Sequence, residues 1–174
     1  MRYSNLFKAQ VFIQKPALFY FVSLICDMEL YTDAYFMNEA LKQAKIAFEE
    51  DEIPVGAVIV CRNKIIARAY NQTEKLTDVT AHAEMLAITA AANALGAKYL
   101  PECKLYVTLE PCIMCAGASF WSQLGELHYA ASDPKRGYSN LGRSILHPKT
   151  KVSSGLMAQE SKDLLDEFFK KLRK

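Results

Sequence analysis

Apolar positions recur along this chain with two different periods, and the switch between them marks out the elements. In residues 33–50, Ala34, Met37, Ala40, Leu41, Ala44 and Ala47 fall three or four apart. That is the spacing of one helix face, so an amphipathic helix is expected, with Asp33 as its N-cap. Residues 55–60 form a continuous apolar run, and 64–69 follow after Arg62-Asn63. These read as two strands joined by a tight turn. Residues 73–80 are polar and loop-like, whereas 83–97 are rich in Ala and Leu and read as a helix ending near Gly96. A short strand is expected at 104–109. Pro111 then stands where proline suits the first turn of a helix, and 112–121 continue as that helix. Residues 127–131 read as another strand. Residues 133–151 are rich in Pro, Gly, Ser and Asn and should be largely loop. The last helix, 158–172, carries Leu164, Leu165, Phe168 and Phe169 on its apolar side.

Helices and strands in this order predict an α/β sandwich, a sheet covered by helices. The first two strands form a hairpin, and the strands that alternate with helices should pair in parallel. The length of 174 residues suits one domain with a real core. Composition is ordinary for a globular protein, with 51% hydrophobic and 23% charged residues.

The N-terminus stands apart. Arg2, Lys8 and Lys15 precede an apolar run at 17–26, which is too short to span a bilayer and is followed by no small-residue cleavage site. Residues 1–27 are read as a dispensable extension, and 28–174 as the functional domain, opened by Met28. Net charge is only +2, but the segment from Asp133 onward carries ten Lys and Arg against five Asp and Glu. A basic tail of this kind suits a polyanionic partner, and it equally suits a solvated surface.

Five cysteines (Cys26, Cys61, Cys103, Cys112 and Cys115) are an odd number without regular spacing, unlike a secreted disulfide framework. Only Cys112 and Cys115 stand close together in sequence, three apart on an expected helix and therefore on one face. They open that helix, where the partial positive charge favours thiolates. His82 opens another helix. Two thiolates and an imidazole suit zinc, and no fourth protein ligand is evident nearby. Three protein ligands leave a position for water, the mark of a catalytic site. Glu84, two residues after His82, is the carboxylate placed to move protons for that water.

Neither His-x-Glu nor Cys-x-x-Cys means much alone. Together, in this order and each opening a helix, they match the H-x-E…P-C-x-x-C signature of the zinc nucleobase deaminases. The chain resembles the bacterial tRNA-specific adenosine deaminases in the stretches IPVGAVIV at 53–60, TAHAEMLAI at 80–88, TLEPCIMCAGA at 108–118, ASDPKRG at 131–137 and LHP at 146–148, and in DEFFKK near the end. This resemblance implies a cytidine deaminase-like three-layer α/β sandwich with a mixed five-stranded sheet covered by helices. It implies one Zn2+ per subunit on His82, Cys112 and Cys115, with Glu84 as proton shuttle.

The implied reaction is hydrolytic deamination of adenosine to inosine at the wobble position of a tRNA anticodon. The family also implies a homodimer, a cytoplasmic enzyme without a membrane, and the anticodon stem-loop of an arginine tRNA as partner. Asn71 matches a substrate-closing asparagine, with a turn residue as the alternative. Asp133 matches an aspartate near the target ribose, with a cap of the turn before Pro134 as the alternative. Val55 and Leu109 would line the pocket or pack the core. Lys135, Arg136, Lys170 and Lys171 match regions that meet RNA. Phe120-Trp121 departs from the pattern and resembles an aromatic pair of guanine deaminases, so a guanine deaminase acting on the free base is the alternative enzyme. Free cytidine or deoxycytidylate deaminases share the signature. A zinc-binding module without catalysis is a further reading, against which the intact Glu84 speaks.

Overall fold

The computed structural model describes residues 31–141 and 145–173. The extension at 1–27 and its apolar run lie outside the described residues. Helix α1 (Asp33–Glu49) is capped by Thr32, whose Oγ1 accepts the Tyr35 N–H at 3.2 Å. Asp33, the expected cap, is already helical. Its carboxylate instead accepts the Tyr106 hydroxyl at 2.6 Å. Thr32 has the extended backbone a cap needs, and an acidic residue in the first turn suits the helix dipole.

Strands β1 (Gly56–Cys61) and β2 (Lys64–Tyr70) form the expected hairpin. Its turn residues Arg62 and Asn63 both have positive φ, 50° and 59°, the pattern whose twist matches that of paired strands. The chain continues through α2 (Ala83–Leu95), β3 (Cys103–Leu109), α3 (Ile113–Trp121), β4 (Glu126–Ala131), a 3-10 turn (Tyr138–Leu141), β5 (Lys151–Ser154) and α4 (Ala158–Leu172). Helix α2 ends at Gly96, in the left-handed region at φ 59°.

The five strands lie in the order β2-β1-β3-β4-β5. β3, β4 and β5 are parallel, whereas β1 is antiparallel to both β2 and β3. The expectation of parallel pairing therefore fails for β2 and β3. The hairpin places β1 between them, and α2 carries the chain across it. The fifth strand that the resemblance implied begins at Lys151, the last residue of the expected loop, and periodicity did not locate it. Its sequence, Lys-Val-Ser-Ser, is exposed at three of four positions and shows no apolar alternation. An edge strand held by backbone pairing to β4 leaves little trace in hydrophobic periodicity.

Both faces of the sheet are covered. Ala57 and Ile59 of β1 with Leu105 and Val107 of β3 face Ala83, Ala87 and Ala91 of α2 and Ala116 of α3. Val58, Val60 and Tyr106 point the other way, onto Phe36, Met37 and Ala40 of α1. Alanines 40, 44 and 47 are fully buried, and α1 lies so close to β1 that a Cβ at Gly56 would overlap the Ala40 carbonyl and the Ala44 nitrogen. On α4, Phe168 is buried with its ring 6.0 Å from that of Phe48, while Phe169 is 40% exposed. Ser161 donates to the Thr108 carbonyl at 2.5 Å and ties α4 to the carboxyl end of β3.

Candidate active site

The carboxyl ends of parallel strands and the amino ends of the helices that follow them make the usual ligand crevice of an α/β sheet. Here β3 runs into Glu110-Pro111, and Cys112 is the N-cap of α3. Pro111 thus precedes the cap and does not enter the first helical turn as expected; Cys112 itself is extended, at φ −72° and ψ 174°. His82 is likewise the N-cap of α2. Two helix amino termini converge, one bringing His82 and the other Cys112 and Cys115 to the same point.

Cys112 Sγ and Cys115 Sγ are 3.7 Å apart, and His82 Nδ1 lies 3.7 Å from the first and 3.6 Å from the second. Zinc bonds of ~2.3 Å to sulfur and ~2.05 Å to nitrogen in tetrahedral geometry would place two sulfurs ~3.8 Å apart and sulfur and nitrogen ~3.6 Å apart. The donor triangle fits that ion. Among the described residues it is the one cluster of three or more potential ligands with this spacing.

Protonation follows the same geometry. The Cys112 thiol is brought down to about 4, chiefly by its contact with Cys115 and then by His82. Cys115 is pushed up by that same contact and by burial. His82 is raised by its contact with Cys112. A bound cation deprotonates coordinating thiols outright.

Glu84 sits in the first turn of α2 and is 4% exposed. Burial pushes its carboxyl above the usual carboxylate range, against the opposing influence of His82 and Cys115. The structure therefore brings together the four residues singled out for chemistry.

The expected substrate residues divide. Asn71 is buried; its N–H donates to the Val55 carbonyl at 3.0 Å, and its Nδ2 donates to Glu52 Oε2 at 2.9 Å and to Thr73 Oγ1 at 3.0 Å. Val55 belongs to the core cluster beneath α2 and α3, and the partly buried Leu109 packs against it. Asp133 caps a turn, with Oδ1 accepting the Lys135 N–H at 2.9 Å and the Arg136 N–H at 3.0 Å. The side chains of Lys135 and Arg136 are exposed. Lys170 and Lys171 occupy the exposed last turn of α4, and Lys171 pairs with Asp51 at 2.5 Å over the Phe48 ring.

Three buried carboxylates escaped the sequence reading, Glu39, Glu52 and Glu110. Glu110 is 3% exposed and accepts the Asp133 N–H from Oε2 and the Ser139 N–H from Oε1, each at 3.0 Å. It pins the 133–139 loop beside the cysteines, where Tyr138 N–H reaches the Pro111 carbonyl at 2.9 Å and Gly137 bridges to Cys112. An acidic residue followed by Pro-Cys at a strand end was the available signal. A second cysteine pair also emerges: Cys61 and Cys103 are register partners across β1 and β3. Burial pushes the Cys103 thiol up to about 12, which makes it unreactive. Phe120 contacts Trp121 and His147, and Trp121 is 76% exposed. This pair closes α3, ~13 Å along the helix from Cys112.

A mixed five-stranded α/β sandwich with a His-Cys-Cys metal site and a buried glutamate beside it defines a zinc-dependent deaminase. Residues 30–131 match the cytidine and deoxycytidylate deaminase zinc-binding region. The tRNA-specific adenosine deaminase of Aquifex aeolicus is 47% identical over 144 residues, 80% of this chain and 95% of that protein. A solved structure from a study of A-to-I editing by tRNA:A34 deaminases at the wobble position is 44% identical. It covers 75% of this chain and 99% of its own, with a TM-score of 0.71. A guanine deaminase from Bacillus subtilis is 37% identical, covering 64% of this chain and 70% of its own at a TM-score of 0.57. The chain belongs to the cytidine and deoxycytidylate deaminase family, in its group of bacterial tRNA-specific adenosine deaminases, and it holds one zinc ion per chain. Among the described residues no helix is long and apolar enough to cross a membrane.

Proposed function

We propose that this chain converts adenosine to inosine, with release of ammonia, at the wobble position of a tRNA anticodon. The observation that carries the reaction is the donor triangle of His82, Cys112 and Cys115 with Glu84 buried against it. What carries the substrate is the 47% identity to a tRNA-specific adenosine deaminase over nearly that protein's whole length.

Zinc on these three residues supplies Lewis acidity that brings the ionisation of water toward neutral pH. The protein's own groups do the rest. Glu84, its carboxyl raised by burial, accepts one proton of the attacking water and gives it to the ring nitrogen, then carries the second from the new C6 hydroxyl to the amine, which leaves as ammonia. Asn71 and Asp133 hold the nucleotide, Val55 and Leu109 shape the pocket, and Lys135, Arg136, Lys170 and Lys171 approach the phosphates. An adenine must leave the stack to react, and an anticodon loop lowers that cost because its bases are already single-stranded. The enzyme works in the cytoplasm as a homodimer on an arginine tRNA, with residues 1–27 dispensable.

Guanine deamination is the second reading, favoured by Phe120-Trp121 and by the Bacillus subtilis guanine deaminase. A paired assay on zinc-loaded protein separates the two. An arginine-tRNA anticodon stem-loop with adenosine at the wobble position should yield inosine, while free guanine should yield no ammonia. Ammonia from guanine alone would overturn the tRNA assignment.

A further inference from the structure

Helix α1 does not stop at random. Asp51 turns left-handed at φ 60°, the Glu52 N–H returns to the Ala47 carbonyl at 2.9 Å, and the Asp51 N–H reaches the Phe48 carbonyl at 3.3 Å. This is a Schellman turn, and the residue it delivers next is usually apolar and packs back on the helix. Here that residue is Glu52, and it is 1% exposed.

A carboxylate in such a place is expensive unless something it holds requires it. None of the ion pairs among the described residues involves Glu52. Its hydrogen bonds come from neutral donors on one loop. Oε2 accepts Asn71 Nδ2 at 2.9 Å and the Thr73 hydroxyl at 3.2 Å, and Oε1 accepts the Lys75 N–H at 2.8 Å. That loop leads directly to His82, with the Gln72 N–H bonded to the Ala81 carbonyl at 3.0 Å.

An amide side chain has a donor end and an acceptor end of nearly equal shape, so packing alone sets its orientation poorly. A carboxylate accepts only. It therefore forces the nitrogen of Asn71 inward and its carbonyl oxygen to the opposite side. Thr73 strengthens the choice, because its hydroxyl hydrogen is given to Glu52 and its oxygen is left to accept from the same Asn71 nitrogen.

We propose that Glu52 is a positioning residue for substrate recognition, whose buried carboxylate fixes the orientation of the Asn71 amide and clamps the loop leading to His82. It acts through Asn71 and does not touch the substrate. The inference rests on the reading of Asn71 as a substrate contact.

The test is a double-mutant cycle on zinc-loaded, full-length protein: Asn71→Ala, Glu52→Gln and the pair, assayed for kcat, KM, zinc content and Tm with the wobble-adenosine stem-loop. Gln at 52 accepts and donates, so it no longer selects one amide orientation. Asn71→Ala should lower kcat/KM at least about tenfold. Glu52→Gln should do the same with zinc retained, and the double variant should fall within about twofold of Asn71→Ala alone. Losses that multiply, or an unimpaired Glu52→Gln beside an impaired Asn71→Ala, would overturn the proposal and leave the Asn71 reading standing. An unimpaired Asn71→Ala would overturn that reading and the proposal with it. Should Glu52→Gln fail to fold, Thr73→Val probes the same triangle: its loss of kcat/KM should vanish in the Asn71→Ala background, and a loss that persists there refutes the clamp.

Discussion

Replacing Glu110 with glutamine changes one atom of a side chain that spans two backbone donors. Both carboxylate oxygens are in use, one on the Asp133 N–H and one on the Ser139 N–H. Glutamine keeps one acceptor and turns an NH2 toward the other N–H, so two donors face each other in a site that is 3% exposed. A hydrogen bond to a charged group contributes about 1.5–3 kcal/mol, and a buried donor left without a partner adds to the loss. One bond lost and one donor opposed cost about 3–5 kcal/mol together. For a domain of this size each kcal/mol lowers Tm by ~2–4 °C, so Glu110→Gln should melt roughly 10 °C below the parent. Activity should fall as well, because the loop that Glu110 pins carries Asp133 and bridges to Cys112 through Gly137. A Cβ at Gly137 would meet the same carboxyl, so the loop has little room to find another seat. Calorimetry and steady-state kinetics on zinc-loaded protein check both effects. A Glu110→Gln variant with parental Tm and kcat/KM would refute the role assigned to the buried carboxylate.

Other perturbations separate metal, chemistry and packing. Glu84→Gln should keep one zinc per chain by elemental analysis and lower kcat by a factor of at least about 100, the ordinary contribution of general acid–base catalysis; activity near the parent's would contradict the proton shuttle. Cys112→Ala should lose zinc and activity together, and parental zinc content would contradict the ligand set. Gly56→Ala should destabilise by about 1–3 kcal/mol, because the added methyl displaces α1 from β1, and unchanged denaturant unfolding would show that the helix yields freely. The Glu39 carboxyl is held below its ordinary value of 4.5, first by its hydrogen bond from Lys42 and then by Arg68. A lowered native value means stability that is present above 4.5 and lost as pH falls through the native value. Glu39→Gln should therefore flatten the acid limb of the Tm–pH curve, and an unaltered limb would exclude this linkage.

The metal ligands were legible in the chain because their chemistry is local. Cys112 and Cys115 are three residues apart, and His82 and Glu84 two, so each pair is placed by a single helix start wherever that helix lies. The hairpin was legible for the same reason, since two residues of turn dictate which strands meet. Long-range relations were different. Nothing near β1 says that β3 will lie against it antiparallel, because sheet neighbours depend on where α2 crosses. The strand Lys151–Ser154 carries almost no apolar signal and exists by pairing with β4. Thr32 took the cap from Asp33 through a backbone choice of one residue, which periodicity does not resolve.

The buried carboxylates show the division most sharply. By composition Glu52 and Glu110 are two of nineteen acidic residues, and acidic residues are ordinarily solvated. Their function depends on being removed from water and surrounded by N–H groups from loops 19 to 29 residues away in sequence. Burial is a property of the assembled chain, since only packing decides which side chains water can reach. Sequence alone thus determined which atoms could bind zinc and move a proton, and tertiary structure decided which carboxylates would be buried against the loops beside them.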